Sequence, residues 1–81
     1  MKGYVIYLST EQEVDFRGNN YGYWTGKTYR HDDVVYPGYE DDKDDESVKV
    51  YKLKISAEKM SHKLGERCTY VRSSVVEEVE N

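Results

Sequence analysis

With 81 residues, a 37% apolar fraction and nine tyrosines beside a single Trp and a single Phe, the chain has room for one domain (1–81) with a thin core rimmed by amphipathic rings. Its single cysteine, Cys68, excludes an intrachain disulfide framework and a Cys-based zinc knuckle and suits a reducing compartment. The net charge of -4 argues against a chain given over to phosphate binding, and no apolar stretch approaches the roughly 20 residues that span a bilayer, so a cytoplasmic protein that stays off the membrane is expected.

Residues 2–8 alternate β-branched and aromatic side chains, placing Tyr4, Ile6 and Leu8 on one face of a strand and Val5 and Tyr7 on the other. Arg17-Gly-Asn-Asn20 signals a turn. Residues 21–29, YGYWTGKTY, read as a second strand with a bulge at its glycines, and Val34-Val-Tyr36 as a short third strand stopped by Pro37-Gly38. An acidic loop covers 38–47. Residues 47–55 begin as a further strand, with Val48 and Val50 on one face and Tyr51, Leu53 and Ile55 on the other. Ser56 is an N-cap for a helix of about two turns in which Ala57, Met60, Ser61 and Leu64 face inward, Lys59, His62 and Lys63 face outward, and Gly65 ends the run. Residues 69–79 form a last strand with Val71, Val75 and Val79 on one face. The pattern predicts an α+β fold, a small antiparallel sheet of four to five strands with one short helix packed on it. A domain this small gains from dimerising, so a homodimer is one expectation.

The stretches YVI at Tyr4 to Ile6, YWTGKTY at Tyr23 to Tyr29, Tyr36-Pro37, VYK at Val50 to Lys52, SAEKMSHKL at Ser56 to Leu64 and the ending VEEVE together resemble small proteins of bacteriophages and prophages. The resemblance implies an origin in a mobile element and raises the expectation of a host-directed inhibitor of the anti-CRISPR kind, acting in the host cytoplasm.

Charge is segregated along the chain. Residues 40–46 hold six carboxylates and one ammonium, whereas residues 47–72 hold seven basic and two acidic side chains. Two chemistries compete for the acidic run. As a calcium loop starting at Asp42 it fails, because Ser47 stands where a glycine is needed and Leu53 where the bidentate Glu belongs. As an imitation of nucleic acid it succeeds better: alternate residues of an extended chain lie roughly 6.6 Å apart, close to twice the roughly 3.4 Å rise per phosphate along one DNA strand. Glu40, Asp41, Asp42, Asp44, Asp45 and Glu46 then form the partner-binding set, facing a host or defence protein with a basic nucleic-acid-binding groove. The plain alternative is a solvated connector neutralised from within by Lys49, Lys52 and Lys54.

A second reading uses Tyr21, Tyr23, Trp24 and Tyr29 with Lys27, Arg30, Lys49, Lys52 and Lys54 as a platform on which single-stranded nucleic acid stacks. Net acidity ranks direct nucleic-acid binding below the protein partner. A structural or assembly role in a phage particle is the third class. The segment Gly22 to Thr28 imitates a phosphate-binding loop but spaces its glycines one residue too closely and has no helix pattern after it. His31, His62 and Cys68 are isolated, so no catalytic residues, no metal ligands and no cofactor are expected, and the protein reads as a non-enzyme.

Overall fold

The computed structural model of the protein describes residues 2–11 and 21–80. Four strands, β1 (Lys2–Ser9), β2 (Tyr23–His31), β3 (Val34–Glu40) and β4 (Ser73–Glu80), form one antiparallel sheet in the order β3-β2-β1-β4, with a single helix α1 (Lys54–Arg67) packed against it. This is an α+β fold.

The alternation in β1 is what gives the sheet two apolar faces. Ile6 and Leu8 join Trp24, Ala57, Leu64, Cys68 and Val71 in the cluster under α1, while Val5 and Tyr7 join Tyr23 and Val48 on the opposite face. β1 pairs with β4 over its whole length, from Lys2↔Glu80 to Ser9↔Ser73. Its pairing with β2 is confined to Tyr7↔Tyr23, extended by the bond from Leu8 N–H to the Gly22 carbonyl at 2.8 Å.

Beyond that point β2 parts from β1 and pairs with β3 alone. Thr25, Gly26 and Lys27 face a single residue, Gly38, across the ladder between Trp24↔Tyr39 and Thr28↔Pro37, and Gly26 takes φ +91° at this bulge. Extra residues on one strand bend it, and only glycine holds such a φ without strain. The vacated position beside β1 is filled by residues 48–51. Lys49 N–H donates to the Trp24 carbonyl, and Tyr4 and Tyr51 exchange both backbone bonds, each at 2.8 Å. The β2–β3 hairpin therefore extends as an arm, in keeping with principal extents of 39 × 23 × 21 Å. Its tip is a two-residue turn with Asp32 and Asp33 both at positive φ, 49° and 68°, the geometry that matches the twist of a hairpin.

Four expectations are corrected. The third strand runs through Pro37-Gly38 to Glu40; Pro37 is tolerated because β3 is an edge strand, with no further neighbour needing its missing N–H. Residues 47–55 make an isolated bridge at Tyr51 where a strand was expected, since the space β2 vacates beside β1 takes only the short run 48–51 before α1 begins at Lys54. The helix is longer than two turns, starting at Lys54 with Leu53 as an N-cap that makes no side-chain bond, and running past Ser56 and Gly65 to a C-cap at Cys68. Cys68 lies four residues after the buried Leu64 and is itself buried, so the inward stripe continues one turn further and carries the helix with it. In the last strand, Val71 precedes the ladder and packs under α1, whereas Val79 packs on the other face with Val5 and Tyr7. Val71 stands two residues before β4 begins at Ser73, outside the regular alternation that would have put them together. Ser61 and Ser74 join α1 to β4 through their hydroxyls.

Candidate interaction site

The acidic run opens where β3 ends. Glu40 is still a strand residue paired with Tyr23, so the loop proper begins at Asp41, and residues 41–47 are all exposed. The loop is folded back on itself by two local turns. The Asp42 carboxylate accepts the Asp44 N–H at 2.9 Å, and the Asp45 carboxylate accepts both the Ser47 N–H at 2.9 Å and the Ser47 hydroxyl at 2.7 Å. Backbone bonds from Asp45 to Asp42 and from Val48 to Asp45, both 3.1 Å, close the turns. Asp side chains bonding to backbone two residues on are what make such turns favourable. The bonds from Ser47 hold the Asp45 carboxyl below its ordinary range.

None of the six carboxylates lies within ion-pair distance of a Lys or Arg among the described residues. The three lysines expected to neutralise them are otherwise placed: Lys54 pairs with Glu58 at 3.9 Å, Lys49 lies over the Tyr51 ring at 5.8 Å, and Lys52 is exposed. The loop is therefore an exposed concentration of negative charge without a direct counter-ion from the described part of the fold. Nor does it gather as a metal centre: no group of three or more His, Cys, Asp or Glu side chains converges among the described residues.

The aromatic and basic set is divided by the fold. Tyr23 and Trp24 are 8% and 2% exposed and belong to clusters on opposite faces of the sheet, so they offer no common surface for bases. Tyr21 packs half-buried against the helix-side cluster and its ring meets Tyr39 at 5.4 Å. Burial first, then the neighbouring Cys68, pushes its phenol up to about 12. Of the four rings only Tyr29 is exposed, on the arm with Lys27 and Arg30, and Arg30 faces Asp33 at 3.8 Å. The glycine-lysine segment that imitates a phosphate loop lies within and just before β2, hydrogen-bonded to β3, and no helix opens after it.

A feature that the sequence reading missed lies beside the loop. Tyr29, Tyr36 and Tyr39 line an open groove of about 510 Å³ that runs along the arm over Pro37 and Gly38 and reaches Glu40 and Ser47. Tyr29 pairs with Tyr36 across the ladder, and a Cβ built on Gly38 would meet the Thr25 hydroxyl first, then the Lys27 carbonyl at 3.1 Å and the Tyr29 ring edge at 3.2 Å. The bare glycine gives the ring its seat. Taking Pro37-Gly38 as a strand stop hid this, since the groove exists only because the strand continues.

A buried polar pair was missed as well. The Glu77 carboxylate lies beside the Tyr23 hydroxyl and, after burial, helps push that phenol up, and Glu77 Oε2 is buried without a hydrogen-bond partner. Comparison with protein-family models, with curated proteins and with solved structures finds no match to this chain.

Proposed function

We propose that this chain is a non-enzymatic interaction protein of the phage type, which inhibits a host or defence protein by laying residues 40–46 over its basic, nucleic-acid-binding surface. The observation that carries the reading is the state of the six carboxylates. They are crowded into the end of β3 and the turn-bearing loop that follows it, and are without a cationic partner among the described residues. Like charges at this density repel one another and destabilise the free protein, and a basic surface relieves that repulsion. Charge-assisted bonds to Lys and Arg of a groove shaped for phosphates would satisfy the same oxygens.

The test exploits the loop's own bonding. Replacing Asp41, Asp42, Asp44 and Asp45 with Asn removes four charges but keeps the side-chain oxygens that the turns use. Proteins captured from a bacterial lysate by the wild-type chain are expected to be displaced by double-stranded DNA and by salt, and to be lost with the Asn variant. Capture that survives both charge removal and salt would overturn the reading.

A further inference from the structure

We infer that the tyrosine groove of the arm is a docking site for an extended, proline-containing and cationic segment of a partner protein, whose apolar part lies on Tyr29 and Tyr36 and whose Arg or Lys side chains reach Glu40 and the acidic loop. The inference deepens the proposed function and rests on the reading of the loop as a contact surface.

Three features of the groove converge on this occupant. It is open-sided and lined by Tyr29, Tyr36, Pro37 and Gly38 among others, the kind of surface on which a polyproline-type segment docks at little entropic cost because that conformation is already extended and its backbone needs no strand partner. Its floor is Gly38, where the Tyr29 ring rests close to bare backbone, so the ring is positioned while its outer side stays accessible at 58% exposure. Exposed tyrosine fixed by a neighbour brings large contact area with few torsions left to freeze. Finally, the end of the groove at Glu40 and Ser47 opens directly into the acidic loop, so a cation following the apolar stretch meets negative charge. The cation Lys27 also lines the groove, and its repulsion of a basic segment supplies a variant that should bind more tightly.

The probe is a synthetic peptide, Arg-Pro-Leu-Pro-Pro-Leu-Pro-Arg-Arg, and its control carries Gly at every Pro position with the same charges. Binding is followed by amide NMR shifts on the full chain. The expected result is saturable binding of the proline peptide, shifts centred on Tyr29, Tyr36 and Gly38, and affinity reduced about tenfold or more by Tyr29→Ala. Tyr29→Phe should retain binding, Lys27→Glu should tighten it several-fold, and the Asn-substituted loop should weaken it. Free-state spectra show whether each variant keeps its fold, and Lys27→Glu, on an exposed site, gives an independent reading. Equal binding of the glycine control, with indifference to Tyr29→Ala, would overturn the groove while leaving the acidic loop as a contact surface. Binding that depends on Tyr29 but ignores both the Asn loop and added salt would overturn the cationic part of the occupant, while the proposed function stands or falls with the lysate capture. No binding of either peptide at millimolar concentration would overturn the inference.

Discussion

The indole N–H of Trp24 donates to the Tyr51 hydroxyl at 3.1 Å, joining the last core residue of β2 to the segment that replaces β2 beside β1. Trp24 is almost fully buried, so its N–H has no easy access to water once this acceptor is gone. Tyr51→Phe is expected to lower stability by about 1–2 kcal/mol, the cost of a buried donor left unpaired. Urea unfolding followed by far-ultraviolet circular dichroism measures it, with Tyr51→Phe compared against the exposed Tyr70→Phe, which should be near neutral.

Alkaline pH should weaken the fold through Tyr23. Burial, and next the neighbouring Glu77 carboxylate, push this phenol from 10.0 up to about 12. Between those values the unfolded chain releases a proton that the folded chain retains. The stability this group contributes is therefore full below pH 10 and is lost progressively as pH rises through the folded value. Tyr21 adds a slope of the same sign. In Tyr23→Phe the pH dependence of urea stability above pH 10 should be shallower, whatever the substitution does at neutral pH.

Two glycines should respond in opposite directions to alanine. A Cβ on Gly22 would lie 2.5 Å from the Glu40 carbonyl oxygen, a backbone atom with nowhere to go. Gly22→Ala is expected to cost about 2–3 kcal/mol and to disturb the start of the acidic loop. Gly65 sits inside α1 with nothing within 4 Å of the added atom, so Gly65→Ala should stabilise by about 0.5–1 kcal/mol. Thermal and urea midpoints of the two variants, compared with the wild type, decide both.

Within the acidic run one carboxylate should stand apart. Asp45, held below its ordinary range by the Ser47 hydroxyl and N–H, should titrate at lower pH in wild type than in Ser47→Ala, as followed by carboxyl NMR. A depressed carboxyl contributes stability above its unfolded value and loses it as pH falls, so the Ser47→Ala variant should differ from wild type at neutral pH and converge with it in acid.

The sheet was legible in the sequence because β1 alternates cleanly and both of its faces are apolar; the structure buries them both. The inward set of the helix, Ala57, Met60, Ser61 and Leu64, was also legible. Its ends were not, because Ser56 and Gly65 are local signals, and the buried Cys68 extends the helix by tertiary contact that no local signal encodes. The fate of residues 47–55 was hidden for a related reason. A β-rich segment does not announce whether an edge is left for it to join, and here only the short stretch beside β1 that β2 vacates was available. The acidic run needed no fold to be noticed, whereas the tyrosine groove needed the strand to pass through Pro37 and Gly38.

The two ends of the acidic loop are fastened to adjacent residues of one strand: Glu40 pairs with Tyr23, and Lys49 bonds to the carbonyl of Trp24. Trp24 is also the chain's single tryptophan. Its indole therefore sits at the clasp of the loop, in contact with Tyr51, and any ligand that tightens or spreads the clasp changes the surroundings of the one strong intrinsic fluorophore. The protein carries its own optical readout of loop occupancy, needing no attached dye on the acidic surface itself.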